Sequence, residues 1–235
     1  MYISKEIILL LFTSFLPPII YAIWIRNTER YHRERWIAIA VCFLWGASIA
    51  IIAAIILEVI LQISVSVTIS DNLLSYEIIT AVIIAPFAEE LVKPLALKTK
   101  TVYRELDEFK DGLIYGAVAG LGFSATENLF YGMDFLSEGL VFFIIFMSIR
   151  SIGGCLLHAS ATALTGYGYG KSLLMKSSFL RIVPYFIVAM LMHASYNFLV
   201  SWPTIGPITG LLLAFVLVYI SISFVRRKIK SLDYA

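Results

Sequence analysis

Residues 77–97, EIITAVIIAPFAEELVKPLAL, are long and apolar enough to cross a bilayer, yet they carry Glu89, Glu90 and Lys93. An ionisable side chain in hydrocarbon costs at least a few kcal/mol, so it needs a purpose: an ion path, a structural pair, or chemistry. The same conflict recurs elsewhere, because Glu58, Glu127, His158 and His193 also lie inside apolar segments. Hydrophobic residues make up 60% of the 235 positions, against about 45–50% in soluble domains. Mean hydropathy is +0.89. A soluble core has no use for that much apolar surface, so the sequence predicts an all-α integral membrane protein. A net charge of only +2 excludes a strongly basic nucleic-acid surface. Cys42 and Cys155 fall in different apolar segments and form neither a disulfide framework nor a zinc-finger spacing. They read as small buried residues.

A span needs about 20 mainly apolar residues. Seven stretches qualify: 6–25, 36–62, 77–97, 112–132, 140–166, 182–200 and 208–225. The polar breaks supply an independent test. Breaks 26–35, 98–111 and 171–181, with the tail after 225, hold fifteen of the eighteen Lys and Arg residues. The alternate breaks 63–76, 133–139 and 201–207 hold none. Basic residues stay on the cytoplasmic side. The pattern predicts a polytopic bundle of seven transmembrane helices, N-terminus outside and C-terminus cytoplasmic. Trp24, Trp36 and Trp202 fall near the predicted interfaces, as amphipathic aromatics should. The first span contains Pro17-Pro18 and no small-x-small cleavage site before Arg26, so it does not read as a cleaved signal peptide. Break 98–111 reads equally as a short amphipathic surface helix or a solvated loop. With no repeat or soluble domain visible, residues 1–235 read as one integral membrane domain.

Within 85–94, Glu89 and Lys93 are four apart and share a helix face, while Glu90 points about 100° away. The expected arrangement pairs one carboxylate with Lys93 and turns the other to a polar cavity. A purely structural Glu–Lys pair is simpler, but two acids and one base do not balance. Pro86 and Pro94 bracket the motif, and irregular backbone at membrane depth lines a cavity or is buried in protein. In the fourth span Gly112, Gly116 and Gly120 permit close helix approach. Glu127 lies seven residues beyond Gly120, near the same face. Arg150, Gly154, His158, Thr162 and Gly166 follow at four-residue steps on one face of the fifth span. His193 and Asn197 are one turn apart in the sixth. A lone buried His is usually a hydrogen-bonded core residue, but two beside buried acids weaken that reading. Counting about 1.5 Å per residue, Glu89, Glu127, His158, His193 and Asn197 reach depths at which they can share one cavity. Glu58, near the outer end of the second span, reads as interfacial and stands outside the expected site.

Glu89-Glu90-Leu91-Val92-Lys93, Phe123-Ser124-Ala125-Thr126-Glu127, His158 and His193-Ala194-Ser195-Tyr196-Asn197 occur in that order on successive spans. They resemble the motifs of the PrsW family of intramembrane proteases, part of a superfamily of CAAX-processing and bacteriocin-immunity-type membrane proteases. The motifs cover spans three to six, about half of the chain. Each is short; four in order are far more specific. The eukaryotic CAAX-endopeptidase branch has His where this chain has Glu127, which favours the PrsW branch. The resemblance implies an intramembrane endopeptidase of a prokaryotic cytoplasmic membrane, with a catalytic core at 77–200. It implies a membrane-anchored protein substrate, which in the best-known bacterial members is an anti-sigma factor.

Peptide hydrolysis needs an activated water, a stabilised oxyanion and a proton for the leaving amine. The chain offers no convincing Ser–His–Asp set. Cys155 lies three residues from His158 on one side of one helix, a poor geometry for a nucleophile pair. Two versions stay open. Without metal, Glu89 or Glu90 with Glu127 polarises the water, while His193 and Asn197 donate to the oxyanion. With one zinc ion, Glu127, His158 and His193 ligate it and Glu89 or Glu90 is the base. The expected partners are the lipid bilayer and the membrane-anchored substrate, with no nucleic acid; nothing in the sequence sets the oligomeric state. The competing function is a proton- or cation-coupled transporter or channel that uses the buried carboxylates.

Overall fold

The computed structural model describes residues 5–66 and 73–234, so part of the expected 63–76 break lies outside the described residues. Every regular element among the described residues is helical. In chain order they are α1 (Lys5–Arg26), α2 (Trp36–Ser66), α3 (73–98), α4 (Lys100–Glu105), α5 (Phe109–Phe135), α6 (Leu140–Leu174), α7 (Phe179–Ser201) and α8 (Pro207–Asp233). Five of them, α1, α2, α6, α7 and α8, are long and apolar enough to cross a membrane. Their outward residues, such as Ile52, Ile56, Val59 and Ile63 of α2, are exposed apolar side chains of the kind a bilayer covers. Break 98–111, read as either surface helix or loop, contains the short helix α4.

The other two expected spans, α3 and α5, depart from simple apolar helices for reasons tied to position. Every residue of α5 from Lys110 to Ala125 is buried. A helix enclosed by other helices never meets lipid, so it tolerates glycine and polar residues that an outer helix does not. α3 is broken into an α-helix (Leu73–Ile79), a π-helical turn (Thr80–Ile84), a second α-helix (Ala85–Val92) and a 3₁₀ turn (Lys93–Lys98). Pro86 and Pro94 each lack the backbone N–H that a regular helix uses, so the ladder reorganises around them.

α5 and α6 pack backbone to backbone. A Cβ added at Gly116 would sit 2.3 Å from the Thr162 carbonyl oxygen, and one at Gly120 would sit 2.3 Å from that of His158. Only glycine permits that approach, and it sets His158 against the centre of α5. Gly120→Ala is therefore expected to cost about 1–3 kcal/mol by overpacking. A lowered thermal unfolding midpoint in detergent, together with slower turnover from a displaced His158, would show it.

The basic breaks gather at one end of the bundle. Arg35 pairs with Glu105 at 2.9 Å. The Arg30 backbone N–H donates to Asp233 at the end of α8 (2.7 Å). Lys98 lies over the rings of Tyr169 and Phe179 at 5.5 and 5.4 Å. The same end holds a buried acidic knot of Glu29, Glu34 and Asp111, whose nearest oxygens lie within 4.8 Å of one another. Lys110 reaches Glu29 at 3.2 Å, and the Tyr115 hydroxyl donates to Glu34. Burial, reinforced by Asp111, pushes the Glu34 carboxyl up from 4.5 to about 10. Burial lifts Glu29 to about 7. The fold therefore binds protons that the unfolded chain releases. Their contribution is complete below about pH 4.5 and declines as pH rises through about 7 for Glu29 and on towards about 10 for Glu34. Glu34→Gln, which mimics the protonated carboxyl, is expected to shrink the drop in unfolding midpoint between pH 5 and pH 8, measured by differential scanning fluorimetry.

Candidate active site

The two-acid, one-base motif of α3 closes on itself. Lys93 is four residues after Glu89 and three after Glu90, so its position around the helix falls between theirs and both carboxylates can reach it. Its Nζ donates to Glu89 Oε2 at 2.7 Å and to Glu90 Oε1 at 2.9 Å. The expectation of one paired and one cavity-facing carboxylate thus resolves differently: both are paired, and Glu89 also lines the cavity. Glu90 and Lys93 are fully buried, and the Phe123 ring lies 4.3 Å from the ammonium.

The histidines complete this centre from α6 and α7. Lys93 Nζ lies 2.8 Å from His158 Nδ1. An ammonium only donates, so Nδ1 is the acceptor and the ring proton sits on Nε2. That Nε2–H donates to Glu127 Oε2 at 2.8 Å. His193 Nδ1 lies 3.1 Å from Glu90 Oε1; a carboxylate only accepts, so Nδ1 carries the proton and Nε2 keeps its lone pair. Thr162 donates to the other Glu90 oxygen at 3.0 Å. The two imidazoles meet edge to face, with centroids 4.9 Å apart.

Glu127 belongs to an adjoining layer. Arg150 donates from Nη2 to Glu127 Oε2 and from Nε to Asn128 Oδ1, both at 2.7 Å. Its guanidinium lies 4.0 Å from the Tyr131 ring centroid. Among the described residues Asn197 makes no hydrogen bond to the Glu/His centre. Its amide donates to the Ala81 carbonyl at 2.8 Å, fastening α7 to the π-helical turn of α3. A cavity of about 770 Å³ runs past this centre, lined by Glu89, Glu127, His158, His193 and Asn197.

Two residues left out of the expected site also line that cavity, Glu58 and Arg150. For Arg150 the signal was its four-residue register with His158. For Glu58 it was the series Gly46, Ala50, Ala54, Glu58, whose first three members are buried and mark the packed face of α2.

Fold and site together define a helical membrane protein with a buried Glu/His/Lys centre opening onto a cavity. The profile of the PrsW family intramembrane metalloproteases matches residues 34–224. The chain belongs to the PrsW family. It is similar to Protease PrsW of Clostridioides difficile (strain 630), at 29% identity over 119 residues, which are 50% of this chain and 48% of the relative. The chain thus spans about half the length of the curated relative it matches. No solved structure matches.

The family description implies a metal ion, and the donor set suits one in kind. Glu89, Glu90, His158 and His193 each bring one donor atom into a group within 4.8 Å of one another, and all four residues are buried. Two imidazoles and two carboxylates are the donors zinc takes. Three of the four already surround a positive charge, the Lys93 ammonium. A metal ion and that ammonium would draw on the same donors.

Proposed function

We propose that the chain is an intramembrane endopeptidase that hydrolyses a peptide bond of a membrane-anchored protein, with Glu89 as general base. The observation that carries this reading is the cavity beside the Glu/His/Lys centre, where Glu89 is the member of the adjacent acid pair that lines the wall. Lys93 binds Glu89 through Oε2, and no hydrogen bond falls on Oε1 among the described residues. That oxygen can take a proton from water as the water attacks the peptide carbonyl carbon. The same proton then passes to the amine as the C–N bond breaks.

The neighbours hold this arrangement in place. Lys93 and Glu90 fix the orientation of Glu89 and His193. Glu127, held by Arg150, fixes the ring of His158. Among the described residues no bond uses the Arg150 Nη1 hydrogens or the second Asn197 amide hydrogen; both side chains line the cavity and can donate to the oxyanion. Should zinc bind, His158 and His193 with Glu89 or Glu90 would hold it, and it would supply Lewis-acid activation of water and carbonyl. The bundle would lie with its basic end in the cytoplasm, so that the cavity opens towards the outer face of a cytoplasmic membrane.

Cleavage of a single-span model peptide in liposomes made with oxygen-18 water tests the reading. Hydrolysis predicts one heavy oxygen in the new carboxylate, seen by mass spectrometry. Proton flux without any cleaved peptide would instead support an ion-coupled transporter.

A further inference from the structure

We propose that Glu58 is a specificity residue that receives a Lys or Arg side chain of the substrate on the side of the scissile bond leading out of the cavity. The proposal rests on the proteolytic reading above. Its starting point is an imbalance of partners. The two cations beside the cavity are committed, Lys93 to Glu89 and Glu90, and Arg150 to Glu127. Glu58 lines the same cavity, yet among the described residues it has no hydrogen bond or ion pair. A carboxyl held within a membrane-spanning helix and facing a cavity is costly to ionise, so it either keeps its proton or is met by a cation.

Its position follows from helix register. α2 and α5 run parallel: a Cβ at Gly122 would meet the Phe43 carbonyl, and Thr126 donates to the Ala47 carbonyl at 2.7 Å. Gly46 abuts the Phe123 backbone, and Lys93 meets the ring of that residue. Glu58 lies about three turns beyond Gly46, towards the end opposite the basic loops, and Asp134 lies about three turns beyond Phe123. Both acids are on the cavity wall, so a segment whose reacting carbonyl lies at the Glu/His centre passes them on its way out of the cavity. Both acids on the way out favour a positive substituent, and Glu58 fixes its place.

The test uses the full chain in liposomes and a synthetic peptide with one Leu/Ala transmembrane segment and a neutral extended tail. Lys, Gln or Glu is scanned through successive tail positions. Binding is read by fluorescence anisotropy and cleavage by mass spectrometry on the same samples. Lys at the matching position is expected to improve binding and kcat/KM about tenfold over Gln. In Glu58→Gln that ratio should collapse towards one, and Glu58→Lys should prefer the Glu peptide, a reversal that a misfolded variant cannot produce. Preferential binding of the Lys peptide without cleavage upholds the cation subsite and defeats the proteolytic reading. Cleavage with no Lys preference, or with one that survives Glu58→Gln, overturns the subsite and leaves proteolysis standing. Neither binding nor cleavage of any peptide overturns both.

Discussion

Replacing Lys93 with Met is expected to destabilise the helix bundle by about 3–5 kcal/mol, the usual consequence of removing one partner of a buried ion pair. Lys93 is fully buried, and its ammonium is shared by Glu89, Glu90 and His158. Met preserves much of the volume and the contact with Phe123 but leaves two buried carboxylates without their cation. Against a total stability of about 5–15 kcal/mol, that loss is large. A sharp fall in the thermal unfolding midpoint would register it. Adding Glu90→Gln to Lys93→Met should restore part of the loss, because one of the stranded charges is then gone. A Lys93→Met protein as stable as wild type would show that the α3 centre is held together by something other than this shared ammonium.

The second large effect concerns turnover. Glu127→Gln is expected to lower kcat by about 10²–10⁴-fold, with KM changed little and the fold retained. The carboxylate is the meeting point of Arg150 and His158, each within 2.8 Å. Gln keeps the shape but removes the charge, and its amide can present N–H where the His158 Nε2–H needs an acceptor. The ring can then turn or change tautomer, which also weakens its hold on Lys93. Arg150 keeps its bond to Asn128 and borders the cavity, so the stability cost stays modest. Steady-state kinetics on a cleavable peptide would separate the two constants. An unchanged kcat would remove Glu127 from the reaction.

Much of this was legible before any coordinates. Helical class followed from hydropathy, and the grouping of basic breaks at one end of the bundle followed from their alternation. The residues of the centre stood out because ionisable groups in apolar helices are costly and rare. Sequence gives depth along a helix well, but not how each helix is rotated against its neighbours. The sharing of Lys93 between α3 and α6 depends on such rotations, as does the transfer of Glu127 from the Glu/His group to a layer with Arg150. Glu58 was set aside on depth alone. Its rotation, fixed by the small residues on the same face of α2, brings it into the cavity. The stretch of α5 from Lys110 to Ala125 reads as weakly apolar because its surroundings are protein and not lipid. The Glu29–Glu34–Asp111 knot joins a loop to a helix start some eighty residues away, and no local pattern announces such a contact.

The most direct test of the account is the rate of model-peptide cleavage by wild type and Glu89→Gln in the same liposomes, with unfolding midpoints recorded for both. Lys93 keeps Glu90 as a partner in the variant, so the fold should persist. The account predicts that wild type cuts the peptide and that Glu89→Gln is at least about 100-fold slower, with its midpoint within a few degrees of wild type. Cleavage by Glu89→Gln at the wild-type rate would contradict it.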